Sequence, residues 1–167
     1  IIMALIKARS RGINLADTFA FSGTVSGAGG GKIGQVVQGT KSGGQTISSS
    51  SYTAVSSLTA NITCSATSSK VLIMISIPTI TISSTDNEGG DYSLYRGGSA
   101  EYKFGGNHGY ATDSSGSNQT VEFTKIHEPS STSQQTYSVY AKKNGNSNLE
   151  ICANSTQATI TLMEILA

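Results

Sequence analysis

The feature that most constrains this chain is the run Lys70–Ile82, KVLIMISIPTITI, its longest apolar stretch. It is rich in β-branched residues, whose stiff side chains suit a pleated strand better than a helix. Pro78 also argues against a helix, because a proline in a helix interior removes a hydrogen bond and clashes with the preceding turn. Successive side chains of a strand alternate faces, so Val71, Ile73, Ile75 and Ile77 share one face and Leu72, Met74 and Ser76 the other. A strand with one wet face would alternate apolar with polar, yet residues 71–75 are apolar on both sides. One face therefore belongs to the core of a sandwich. The other needs a second cover, either a loop or another subunit.

The closing stretch Gln157–Ala167, QATITLMEILA, repeats the pattern. Ala158, Ile160 and Leu162 alternate with Thr159, Thr161, Met163 and Ile165, and both faces become apolar toward the end. Two adjacent central strands of one sheet, each with one face inward and one against neighbouring subunits, account for both excesses. A homotrimer of sandwiches would be lined in this way, with Leu72, Met74, Met163 and Ile165 at the subunit interface. A thicker monomeric core is the alternative.

The rest of the chain reads as short strands joined by Ser, Gly and Asn turns. Strands are expected at Lys32–Thr40, Tyr52–Thr63, Asp91–Arg96, Glu101–Phe104, Thr120–His127, Gln135–Lys142 and Leu149–Ala153. In Tyr52–Thr63 the alternation sets Tyr52, Ala54, Leu58, Ala60 and Ile62 on one face. Gly43–Ser51, Ser83–Gly90 and Gly105–Asn118 read as loops, and Asn144-Gly145-Asn146 as a tight hairpin turn. No amphipathic helix is apparent. With about eight to ten short strands at this spacing, the expected fold is all-β, an antiparallel sandwich or jelly roll over residues 32–167.

Residues 1–31 differ. Ile13, Leu15, Phe19, Phe21 and Val25 recur with a period of two, and Gly27–Gly31 then separates them from the core. This is the pattern of an extended arm with one apolar edge, suited to docking on another protein.

Charged residues make up only 13% of the chain and the net charge is +1, which argues against nucleic-acid binding and against a polybasic membrane anchor. No run approaches the ~20 apolar residues of a membrane-spanning helix. Residues 1–7 lack the apolar core and small-residue cleavage site of a secretion signal. Cys64 and Cys152 fit no zinc or redox spacing and read as buried free thiols. His108 and His127 sit in no nucleophile motif, and GAGGG at 27–31 lacks the ending of a phosphate loop, so neither catalysis nor a cofactor is expected. The acidic stretch Asp86–Asp91 has oxygens suited to calcium but not the spacing of an EF-hand loop, and reads as a solvated turn. The best binding candidates are Tyr92, Tyr95, Arg96, Tyr102, His108 and Tyr110 around Gly-rich loops, since tyrosine supplies rigid contact area and small residues supply adaptable hydrogen bonds. Half-buried strand positions for Tyr92 and Tyr102 are the competing reading.

Together, MALIKARSRGINLADTFAFSGTVSGAGGG, KIGQVVQGTK, TANITCSATSSKVLIMISI, YSLYRGG and the closing ATITLMEI resemble a family of short bacteriophage proteins. The family occurs in marine and cyanobacterial viruses and is described as tail-fibre-like or virion structural. The resemblance implies a trimeric jelly roll similar to C1q and tumour-necrosis-factor domains, on an N-terminal segment that attaches to another virion protein. It further implies a place on the phage particle surface, with host polysaccharide as a natural partner of the loops. A capsid decoration protein with no specific receptor is the alternative role, and a small lectin-like module a further one.

Overall fold

The computed structural model describes residues 32–82, 88–111 and 117–166, apart from the side chains of residues 79, 88, 107–111 and 117. The expected arm, with Ile13, Leu15, Phe19, Phe21 and Val25, lies outside the described residues. Ten strands follow in order: β1 (Ile33–Ser42), β2 (Gln45–Ile47), β3 (Thr53–Ile62), β4 (Lys70–Ile82), β5 (Glu88–Arg96), β6 (Ser99–Ala111), β7 (Ser117–His127), β8 (Gln135–Asn144), β9 (Leu149–Ile151) and β10 (Gln157–Ile165). Among the described residues the only helical element is a single 3-10 turn at Ala153–Ser155.

The strands form two antiparallel sheets. The first has the order β1-β10-β4-β9-β2 with β7 on the other edge of β4, and the second the order β3-β8-β5-β6. β10 and β9 occupy the same edge of β4 one after the other, pairing with residues 70–76 and 80–82. β1 and β2 lie outside them in the same way. Both outer tracks break at one level. Gly43 has φ 78° between β1 and β2, and Cys152, Asn154 and Ser155 all have positive φ between β9 and β10. A left-handed backbone turns both chains together without losing the ladder beyond.

The central run forms a strand over the whole of Lys70–Ile82, as its composition demands. Its inner face is Val71, Ile73, Ile75 and Ile77, all at most 2% exposed, followed by Ile80 and Ile82 at 0%. The parity changes from odd to even because β4 carries a bulge between Ile77 and Ile80, beside Pro78, which cannot donate to the ladder. Ala158, Ile160 and Leu162 of β10 and Val121 of β7 complete this wall. Against it pack Val55, Leu58, Ala60 and Ile62 of β3, Tyr92 and Leu94 of β5, and Tyr137, Val139 and Ala141 of β8. At one edge the layers are closed by tilted rings, Phe104 against Phe123 at 4.7 Å and Tyr102 against Phe123 at 6.5 Å. At the other, Gly39 of β1 crosses the backbone of β3 so closely that a Cβ there would stand 1.8 Å from the Thr59 carbonyl oxygen. Only glycine fits.

Several sequence expectations need correction. Tyr52, Ala54, Leu58, Ala60 and Ile62 do not share a face: Val55 enters the core, Ala54 stays exposed, and the register slips between Ala54 and Thr59 around Ser57, whose φ is 62°. The bulge flips the alternation midway. Gly43–Ser51 is not all loop, since Gln45–Ile47 pairs with β9. The short return strand and long loop expected over 101–118 are instead β6, running to Ala111, and the start of β7 at Ser117. Glycines in β6 are tolerated because its partner β5 holds the ladder through several register shifts. Cys64 and Cys152 are buried and unpaired.

The end of the inner face of β10 is polar. Glu164 is 1% exposed, and its carboxylate accepts from the Ser65 backbone N–H and hydroxyl, both at 2.6 Å, and from Gln35 Nε2 at 2.9 Å. It thereby ties β1, β10 and the loop from β3 to β4 together. These hydrogen bonds hold its pKa down to about 2 from an ordinary 4.5. A carboxylate depressed in the folded state contributes stability that is complete above pH 4.5 and is lost as pH falls toward 2. Thermal melts across that window should show a steep fall for the natural protein and a shallower one for Glu164→Gln. At neutral pH the same variant should lose about 1–3 kcal/mol, because an amide N–H2 now meets the Ser65 donor. Equal acid slopes in the two proteins would remove Glu164 as the cause.

Candidate functional site

Three surfaces carry chemistry. The first is the outer face of the β1-β10-β4-β7 sheet. Cross-strand register aligns Val36, Met163, Leu72 and Ile126 in one row across β1, β10, β4 and β7. Ile33 pairs with Ile165 beside this row. Val36 is 54%, Ile126 50%, Ile33 47% and Met74 42% exposed. Leu72, Met163 and Ile165 are half-buried among them. The four residues expected at a subunit interface, Leu72, Met74, Met163 and Ile165, thus lie on one face. Ile33, Val36 and Ile126 extend the patch and were missed. Val36 and Ile126 alternate with polar residues in otherwise ordinary strands, so only their cross-strand neighbours reveal them.

Polarity changes along that face. The next row is Gln38, Thr161, Met74 and Thr124, then Thr40, Thr159, Ser76 and Glu122. Met74, Ser76, Glu122, Thr124, Thr159 and Thr161 surround a shallow hollow of about 170 Å³. Furthest from the start of β1, Thr46, Glu150, Thr81 and Asn118 form a row across β2, β9, β4 and β7. Thr81 Oγ1 donates to Asn118 Oδ1 at 2.5 Å. The expected hairpin at Asn144-Gly145-Asn146 is instead a crossover, because β8 and β9 belong to different sheets. This β8–β9 turn adds Asn146, Ser147 and Asn148 to Thr46, Thr81 and Glu150 around an open polar cleft of about 400 Å³.

The second surface is the outer face of the β3-β8-β5-β6 sheet. Tyr95 stacks on Tyr140 with ring centroids 3.8 Å apart, and Tyr52 lies tilted at 6.2 Å from Tyr95. The buried carboxylate of Asp91 meets Lys103 Nζ at 2.9 Å, Lys142 Nζ at 3.4 Å and Asn144 Nδ2 at 2.6 Å. Burial, and then the nearby Asp91 charge, pushes the Tyr52 phenol pKa up. Lys142 sits over the Tyr52 ring, 5.5 Å from its centroid. The third is an internal network at the β5–β6 turn: Arg96 Nε to Glu101 Oε1 at 2.6 Å, and Tyr137 Oη to His127 Nδ1 at 2.7 Å. Burial and then the Arg96 charge lower the His127 pKa, while burial raises that of Tyr137. The phenol therefore donates to a neutral imidazole, leaving Nε2–H turned to Glu101 Oε2, 3.8 Å away.

These placements redistribute the binding residues expected from sequence. Tyr92 is 0% exposed and part of the core, so it cannot meet a ligand. It shares the inner face of β5 with Leu94, also 0% exposed, because side chains alternate along the strand. Tyr102 is half-buried and packs on Phe123 and His127. Arg96 is engaged by Glu101 and, at 3.2 Å, by Gln135. Tyr95 alone joins an aromatic surface, and its partners Tyr52 and Tyr140 lie far away in sequence. The side chains of His108 and Tyr110 lie outside the described residues. Among the described residues no group of three or more His, Cys, Asp or Glu is placed to hold a metal ion. Asp91, from the acidic stretch read as a solvated turn, is buried and paired with two lysines. A fully partnered carboxylate and mutually stacked rings mark this tyrosine surface as a brace for the sheet. Tyr140→Ala should cost about 1–3 kcal/mol in denaturant unfolding, through lost stacking and burial. A change below about 0.5 kcal/mol would show the rings to be free of structural duty.

Compared with known proteins, the chain matches no protein-family model and no curated protein.

Proposed function

We propose that this chain is a bacteriophage virion structural protein, a homotrimeric jelly-roll appendage docked by residues 1–31 and contacting the host surface through its loops. The observation that carries the reading is the apolar row Val36–Met163–Leu72–Ile126 with Ile33, Ile165 and Met74 beside it, on the outer face of a sheet whose other face already fills the core. A contiguous apolar patch on a sheet face of a soluble β-protein calls for a partner. A copy of the same chain is the partner argued from the patch itself. It carries no charged residue in its central row, and closed symmetry buries three equivalent faces at once.

The sheet orders support the jelly-roll part of the reading. With β1 and β2 taken as one track and β9 and β10 as another, each sheet interleaves strands from the two ends of the chain, β1 beside β10 and β3 beside β8. That is how a jelly roll folds a long hairpin over itself. The C1q and tumour-necrosis-factor likeness, and the attachment to another virion protein, remain with the sequence resemblance. No enzymatic role is part of the proposal.

Sedimentation velocity on the full chain should give a single trimer, and electron microscopy with gold-labelled protein should place it on the phage particle. A monomer at micromolar concentration would overturn the assembly, and absence from purified particles would overturn the virion role. Met74→Lys or Ile126→Lys should weaken trimer association by at least about 100-fold, since each places an unpaired charge in every interface. Both side chains are exposed in one subunit, so the variants should keep a folded β spectrum. A folded variant that stays trimeric would exclude this face as the interface.

A further inference from the structure

The cleft at the far end of the β1-β10-β4-β7 sheet is unlike the other polar surfaces of the molecule. Its floor is the cross-strand row Thr46, Glu150 and Thr81, three residues from three strands brought side by side only by register. Its wall is the turn 146–148, which crosses from β8 in one sheet to β9 in the other. Among the described residues the side chains of Thr46, Asn148 and Glu150 have no hydrogen-bond or ion-pair partner, in contrast to Asp91, which has three. Thr81 gives its hydroxyl proton to Asn118 and keeps its acceptor lone pairs.

The crossover turn is held in place from behind. Lys143 Nζ donates to the Asn146 carbonyl at 2.7 Å, the Lys143 N–H donates to the Ser49 carbonyl at 3.0 Å, and Asn144 Nδ2 donates to Asp91 at 2.6 Å. Gly145, with φ 100°, makes the turn possible. A wall braced this way loses little freedom when something binds to it. A volume of about 400 Å³ lies within the range of small-molecule sites.

The lining decides the class of ligand. No lysine or arginine lines the cleft and one carboxylate does, so phosphate and other anions are disfavoured. One carboxylate falls short of the several oxygen charges that hold calcium. The remaining groups are hydroxyls and amides, each able to donate and accept. That set matches a neutral ligand dense in hydroxyls, in which adjacent O–H groups donate to Glu150 and ring or hydroxyl oxygens accept from the Asn148 amide.

We infer that the cleft formed by Thr46, Thr81, Asn146, Asn148 and Glu150 is a binding site for neutral saccharides. It sits on the same sheet face as the apolar row, but nine residues further along β4, about 30 Å at strand rise. It is also at the end of the sheet opposite the first residues of β1. The inference deepens the host-contact role proposed above and depends on that role for its biological meaning, while the binding itself is measured independently.

The test is a titration of the isotope-labelled full chain with glucose, galactose and N-acetylglucosamine, followed by backbone amide NMR. Glucose 6-phosphate serves as the anionic control. At least one neutral sugar should shift the amides of Thr46, Thr81 and residues 146–150 and saturate in the millimolar range, on the order of 4 kcal/mol of binding. Glu150→Ala and Asn148→Ala, both at exposed positions, should each weaken that binding at least about tenfold without altering the rest of the spectrum. The inference is overturned by three results: no neutral sugar shifts these amides up to about 100 mM, the variants bind as the natural protein does, or glucose 6-phosphate binds as well as glucose. Sedimentation of the same sample separates the two ideas. A trimer without sugar-dependent shifts sinks the saccharide site alone, and a monomer that shows them sinks the assembly and leaves the site standing.

Discussion

The backbone ladder that joins β4 to β10 on one edge and to β7 on the other sets the position of everything else. Through it Ile73 lies between Leu162 and Lys125, and Leu72 between Met163 and Ile126. Ile73 and Leu162 thereby face the core, while Leu72, Met163 and Ile126 face away from it. Because side chains alternate along a strand, the ladder that fixes the core also fixes the outer rows, with no freedom to slide one without the other. A slip of one residue would carry Val71, Ile73 and Ile75 out into water and bring Met74 and Ser76 inside.

The outer face shows how one sheet can hold two kinds of surface. Near the start of β1 the rows are aliphatic and their natural complement is another dry surface. Serine and threonine fill the middle rows. At the far end the row holds hydroxyls, a carboxylate and an amide, and the kinks at Gly43 and Cys152–Ser155 separate it from the rest. The two outer tracks break together there. The outer side of β2 and β9 thus forms a small polar patch, and the β8–β9 crossover turn lines it. The opposite sheet has no such division. Its outer surface is closed on itself by stacked tyrosines and by Asp91 with its two lysines and an asparagine, which leaves few groups for a partner.

Much of this was legible in the residues. The strand at Lys70–Ile82, its inner set through Ile77, the alternation in Gln157–Ile165, and the strands at Asp91–Arg96 and Gln135–Lys142 follow from patterns that each segment carries locally. The outer apolar residues on β4 and β10 were legible because those strands are apolar on both faces. What was not legible came from breaks in that period. The bulge at Ser57 reverses β3, and the one beside Pro78 reverses β4. A bulge adds a residue without any mark in the apolar pattern beyond a small polar side chain or a proline. Tyr92 was misplaced for a different reason: tyrosine suits both a wet loop and a core, and its surroundings choose. The glycines of β6 suggested a loop because a strand there survives only through pairing with β5.

By itself the sequence determined that the region after residue 31 is all-β, where most of its strands lie, and that two of them have more apolar surface than a single core takes up. These are properties of consecutive residues, governed by β-branching, alternation and turn chemistry. Tertiary structure alone decided which strands are neighbours and in what register. It brought Thr46, Thr81, Asn118 and Glu150 into one row and Val36, Leu72, Ile126 and Met163 into another. Register is a relation between segments scores of residues apart, held by hydrogen bonds that every residue but proline can make, so no single stretch encodes it.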